Sequence, residues 1–207
     1  MFRSFRKERP AELSERLERT ALPDSVYDLL VETAREHGDK PAWHFIDAGT
    51  SRTWQDVLAS VDLAAAAFAM LGIGKGAHVA VMCRNREEFP ISWLALSRLQ
   101  AAMVPINPSY SLSELNYALS TSDAAFLVIE ANLLDHLEQD DAWVIKDPKV
   151  IIIDADTSDR GIGWTDALEN ARGTHVPVVS RQRDQLLNLQ FTSGTTGFPK
   201  ACMLTND

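Results

Sequence analysis

The chain has 207 residues, enough to bury one large core or two smaller lobes, and its 45% hydrophobic and 24% charged residues suit a packed fold rather than wholesale disorder. A formal net charge of -9 disfavours nonspecific binding to nucleic acid or anionic lipid, because both would add repulsion. No run approaches the ~18 consecutive apolar residues of a membrane span, and Cys83 and Cys202 belong to no C-x-x-C pair, so reduced thiols in a cytoplasmic protein are expected rather than a metal site or a disulfide framework.

Residues 1–21 read as an N-terminal extension. Arg3, Arg6, Lys7 and Arg9 are interleaved with Phe2 and Phe5, but Glu8, Pro10 and Glu12 interrupt the run, and no apolar stretch of signal-peptide length follows. From Asp24 onward, helical periodicity alternates with short apolar runs, the pattern of an α/β sheet built from repeated βα units. Asp24 is expected to cap a helix whose apolar face holds Val26, Leu29, Leu30 and Ala34, with Gly38 at its end. A strand over Ala42 to Ile46 and a turn at Ala48-Gly49 lead into a helix from Trp54 to Leu71, where Val57, Leu58, Val61, Ala65, Phe68 and Leu71 recur at helical spacing.

The glycines at 72, 74 and 76 read as a turn before a strand at His78 to Cys83, not as a dinucleotide fingerprint, which would require a helix next. Glu87 to Ala102 is helical, with Pro90 tolerable in the first turn, and Met103 to Ile106 is a short strand. Ser113 to Ser120 reads as a helix, and Ala125 to Ile129 and Val150 to Ile153 read as buried strands flanking a more polar helix-and-loop stretch. Asp154 to Gly163 is a surface loop, Trp164 to Ala171 a short helix, and Leu186 to Phe191 a last strand.

Scattered His37, His44, His78, His136 and His175 lack a second ligand at i+3 or i+4, so no metal role is assigned to them. Trp43, Trp54, Trp93, Trp143 and Trp164 read as core or rim aromatics, and Glu138, Asp140 and Asp141 as a solvated face.

That last strand delivers the chain to T-S-G-T-T-G-F-P-K, Thr192 to Lys200. A loop that grips triphosphate needs many donors, little steric bulk and a mobile cation, and this segment has all three. Gly194 and Gly197 allow positive φ and close approach of backbone N–H groups, Thr192, Ser193, Thr195 and Thr196 add hydroxyls, and Lys200 brings a compact charge. The Walker A pattern is not met, since Lys200 stands three residues after the second glycine and Ala201 follows. Ala201 to Leu204 looks like a strand, so the loop is expected to join two strands. By composition alone, a Ser/Thr/Gly-rich surface turn remains an alternative.

F-T-S-G-T-T-G-F-P-K closely resembles the phosphate loop of the superfamily of acyl-CoA synthetases, luciferases and nonribosomal-peptide adenylation domains. The resemblance extends to H-V-A-V-M-C-R-N-R-E-E-F (78–89), L-S-R-L-Q-A-A-M-V-P-I-N-P (96–108), E-L-N-Y-A-L-S-T-S-D-A (114–124) and R-T-W-Q-D-V (52–57), with the acyl-CoA ligase branch most similar. It implies that residues 22–207 are the N-terminal part of an adenylation domain, cut after the phosphate loop. It further implies a two-step reaction. A carboxylic acid and ATP give acyl-adenylate and pyrophosphate, and coenzyme A then takes the acyl group, with Mg2+ assisting. On this resemblance Thr192, Ser193, Gly194, Thr195, Thr196, Gly197 and Lys200 would hold the β- and γ-phosphates, with Lys200 also catalytic. Alternatives are a catalytically incomplete nucleotide- or partner-binding module and a carrier-protein-coupled adenylation domain. The family commonly has Gly and His where this chain has Ala201 and Asn206; an amide replaces a titratable ring at 206, so no role is carried over there. The magnesium-binding Glu, the ribose-holding Asp and a second lysine belong to later family segments, so the 207-residue chain alone is expected to be inactive.

Overall fold

The structure, a computed structural model, describes residues 23–46, 49–137, 149–176, 182, 184–192 and 199–206. The chain opens with helix α1 (Val26–His37), a hairpin of β1 (Pro41–Phe45) and β2 (Thr50–Thr53), and the long helix α2 (Trp54–Met70). Alternation follows: β3 (His78–Met82), α3 (Glu88–Leu99), β4 (Ala102–Pro105), α4 (Leu112–Ser122), β5 (Phe126–Glu130), α5 (Ala131–Leu137) and β6 (Lys149–Ile153). Then come β7 (Ile162–Gly163), α6 (Trp164–Asn170), β8 (Leu186–Thr192) and β9 (Lys200–Thr205).

Seven strands form one sheet in the order β7-β6-β5-β3-β4-β8-β9, parallel throughout except for the antiparallel pair β8 and β9. A parallel sheet needs cover on both faces, so its strands are apolar on both sides. In β3, Val79 and Val81 enter a core shared with α1, α2, α3 and α6, while Ala80 and Met82 enter a second core shared with α4 and α5. β5 repeats the arrangement, with Phe126 and Val128 on the first side and Leu127 and Ile129 on the second. The mixed α/β architecture expected from the sequence is therefore the one observed.

Local starts follow ordinary capping chemistry. Thr53 opens α2 and Ser111 opens α4 with reciprocal capping boxes, their hydroxyls accepting from the N–H groups of Asp56 and Glu114 while those carboxylates accept from the cap backbone. The hydrogen bonds of the two boxes hold both carboxyls below the usual carboxylate range. The start of α1 differs from expectation. Ser25, not Asp24, is the cap, and its side chain accepts the Asp28 N–H at 3.1 Å. The buried face is Tyr27, Leu30 and Ala34, while Leu29 is 52% exposed. Tyr27 can face inward because its hydroxyl donates to Asp62 Oδ1 at 2.7 Å and its ring carries the Arg98 guanidinium 5.3 Å from its centroid.

Gly38 caps α1 in the right-handed region. A Cβ there would lie 2.8 Å from the Ala34 carbonyl oxygen, so close packing is what requires glycine. The strand expected over Ala42 to Ile46 is β1, and the helix of the polar stretch before Val150 is α5; β2 and the two-residue β7 were not foreseen. The turn glycines behave as read: Gly72 and Gly76 have φ of 92° and 79°, and a strand follows. Trp164 is buried, and Trp43, Trp54 and Trp93 pack on the same core's rim. Trp143, Glu138, Asp140 and Asp141 lie outside the described residues.

Candidate functional site

β8 pairs parallel with β4, so its carboxyl end at Thr192 lies on the same side of the sheet as the carboxyl ends of β3 to β6. Ligands of open α/β sheets characteristically bind beyond those ends. β9 returns antiparallel from there, and its first residue, Lys200, is the Cα partner of Thr192. The segment therefore joins two strands, as its sequence suggested, and is not the strand-to-helix turn of a P-loop.

Of the expected phosphate-binding residues, the structure places Thr192 and Lys200 opposite one another, both exposed, with Thr192 Oγ1 donating to the Lys200 carbonyl at 3.4 Å. Ser193, Gly194, Thr195, Thr196 and Gly197 lie outside the described residues. Among the described residues no ion pair involves Lys200. A cation facing solvent beside a hydroxyl suits a polyphosphate. Among the described residues there is no group of three or more His, Cys, Asp or Glu side chains that could hold a metal ion, so no Mg2+ ligand is assigned to them. Asn206 has its Oδ1 buried without a partner among the described residues.

Both stems of the hairpin are touched by one residue that the sequence did not single out. Tyr117 on α4 donates its hydroxyl to the Pro199 carbonyl at 3.1 Å, and its ring meets Phe191 edge-on, with centroids 6.3 Å apart. Beyond its place in the 114–124 segment that carries the resemblance, its sequence signal is a large aromatic beside, rather than on, the stripe of Leu112, Leu115 and Leu119.

A second polar cluster occupies the carboxyl ends of β3, β5 and β6. Glu130, 5% exposed, accepts from the Arg84 backbone N–H and from the Arg84 guanidinium at 2.8 Å. Arg86 bridges Glu88, at 2.7 and 2.9 Å, and Asp154, at 2.5 and 3.0 Å. These bonds raise the Arg86 pKa above its ordinary value and lower that of Asp154. Every named charge here has a protein partner, so the cluster ties strand ends together rather than presenting a free acid or base. A cavity of about 750 Å³ opens beside it, between the β1–β2 hairpin and the start of α3, with Trp43, Phe45, Ile46 and Arg86 in its walls.

Comparison with known proteins identifies the family and the fold. The family model described as AMP-binding enzyme matches residues 30–207. The chain is 29% identical over 192 residues to the acyl-CoA ligase sidI of Beauveria bassiana (strain ARSEF 2860), covering 86% of this chain and 32% of that protein. It is also 29% identical over 205 residues to 4-coumarate--CoA ligase 2 of Oryza sativa subsp. japonica, covering 91% of this chain and 36% of the relative. The crystal structure of the anthranilate CoA ligase AuaEII, solved with anthranoyl-AMP, superposes with a TM-score of 0.80 at 21% identity, covering 89% of this chain and 36% of that one. The chain thus spans about a third of the length of the curated relatives it matches.

Proposed function

This chain belongs to the AMP-binding enzyme family, and on that premise we propose that it is the phosphate-holding part of an acid-thiol ligase, which joins a carboxylic acid to coenzyme A at the expense of ATP. Residues 22–207 would be a partial adenylation domain, preceded by an extension over residues 1–21. The observation that carries the reading is the pairing of Thr192 with Lys200 across two strands at the carboxyl end of the sheet. This brings the cation and the first hydroxyl of the loop to one spot.

In the proposed reaction the acid's carboxylate oxygen attacks the α-phosphorus of ATP, the bond to the bridging oxygen breaks, and pyrophosphate leaves with the electron pair. The coenzyme A thiol then displaces AMP from the acyl carbon. Mg2+, when bound, supplies further neutralisation of phosphate charge. The work of this chain's residues is electrostatic. Lys200 holds charge on the β- and γ-phosphates as pyrophosphate departs, which lowers the barrier only to the extent that the contact strengthens in the transition state. Thr192, Ser193, Thr195 and Thr196 donate hydroxyls, and Gly194 and Gly197 let backbone N–H groups approach.

Calorimetric titration of the 207-residue chain with MgATP tests the reading. A charge-assisted contact contributes about 1.5 to 3 kcal/mol, so Lys200→Ala should raise Kd about 10- to 100-fold. Unchanged affinity would overturn the assignment. Because the relatives are some three times longer, we further propose that this polypeptide alone binds but does not turn over. Release of pyrophosphate from ATP with any carboxylic acid, abolished by Lys200→Ala, would refute that.

A further inference from the structure

The loop's cation sits at the first residue of β9, an outer strand whose remaining side chains are mostly exposed. Lysine reaches its ligand through a long flexible stem, so the position of its backbone decides where the ammonium can dwell. Antiparallel pairing to β8 fixes that backbone from one side only. A second constraint comes from outside the hairpin, 82 residues away in sequence, where Tyr117 meets Pro199.

The acceptor of the Tyr117 hydroxyl is the oxygen of the peptide bond whose nitrogen belongs to Lys200. Because a peptide unit is planar, anchoring that oxygen orients the bond entering the lysine. The same ring meets Phe191, which precedes Thr192 and pairs with Ala201. One side chain thus grips both strands where they enter and leave the loop. Its own platform is firm: α4 is opened by the Ser111 and Glu114 capping box and anchored by buried Leu112, Leu115, Ala118 and Leu119.

We infer that Tyr117 is a positioning residue for phosphate binding, its hydroxyl fixing the Pro199–Lys200 peptide so that the lysine ammonium is presented to the β- and γ-phosphates. The inference rests on the phosphate-holding reading of the loop. It assigns Tyr117 no contact with ATP, so its effect must run through Lys200.

A double-mutant cycle on the 207-residue chain, titrated with MgATP, tests this. Tyr117→Phe keeps the ring on Phe191 and removes the hydrogen bond to the Pro199 carbonyl, so Kd should rise about 3- to 10-fold. In a Lys200→Ala background the same change should shift Kd by less than about 2-fold, because coupled residues are not additive. Unchanged affinity in Tyr117→Phe, or an equal loss in both backgrounds, overturns the inference. Amide hydrogen exchange supplies a second measurement, independent of ligand. Exchange over residues 200–202 should quicken in Tyr117→Phe while that of β3 stays the same, and equal protection in both proteins would also overturn it. If Lys200→Ala leaves MgATP affinity intact, the phosphate reading itself fails, and the exchange data then report separately whether Tyr117 holds the stem.

Discussion

Glu130 shows how a parallel sheet of apolar strands ends in a paired charge. Its carboxylate is almost fully buried and accepts from both the backbone and the guanidinium of Arg84, whose side chain is 57% exposed. Loss of the carboxylate strands the Arg84 N–H but leaves the guanidinium in water, so the penalty is that of a buried hydrogen bond rather than of a naked buried charge. Glu130→Ala should lower unfolding stability in urea by about 1 to 3 kcal/mol, and Glu130→Gln, which retains an acceptor, by about half as much or less. Nearby, burial first and then the charges of Glu130 and Glu88 push the Cys83 thiol up to about 12. Cys202 is exposed. Ellman's reagent at pH 8 should therefore titrate one thiol quickly in the native protein and the second only after unfolding. Two fast thiols would contradict the burial of Cys83.

At the scale of elements, legibility followed the strength of the local signal. β3, β5 and β6 were readable because each is an unbroken apolar run of strand length. β2 was not, since Thr-Ser-Arg-Thr carries no alternation and becomes a strand only through its pairing with β1. At the start of α1 Asp24 and Ser25, both able to cap, stand side by side, and the helix begins one residue later than read, with Ser25 as its cap and Tyr27 turned inward to meet Asp62 and Arg98. The α4 start has a clearer signature, and it makes a pH prediction. Glu114 is held low by its hydrogen bonds to Ser111, so the stability it contributes is present above the ordinary carboxylate pKa of ~4.3 and is lost as pH falls through the lowered native value. Ser111→Ala should cost about 1 kcal/mol near neutrality, and NMR titration should show the Glu114 pKa moving up toward its ordinary value. A pKa unmoved by the substitution would mean that the backbone bond alone sets it.

For the whole molecule, the sheet explains why the candidate site was only half legible. The loop's residues announce themselves by type, but the residue that holds both stems comes from another βα unit, and no local pattern links Tyr117 to Pro199. The same sheet has unequal edges. β7 at one end is two residues long, whereas β9 at the other has six residues and exposes Met203 at 69% and Leu204 at 42%. Among the described residues no strand pairs with the outer side of β9; an edge strand with apolar side chains is a template for pairing with another chain, and a further lysine in such a strand opposes that pairing by burying charge. The net charge of -9 resists association in general but does not act at this strand in particular. Sedimentation velocity should therefore show concentration-dependent self-association of the 207-residue chain, reduced in Met203→Lys with the melting temperature little changed, because an exposed side chain contributes little to the core. Association that is equally strong in Met203→Lys would place the contact elsewhere on the molecule.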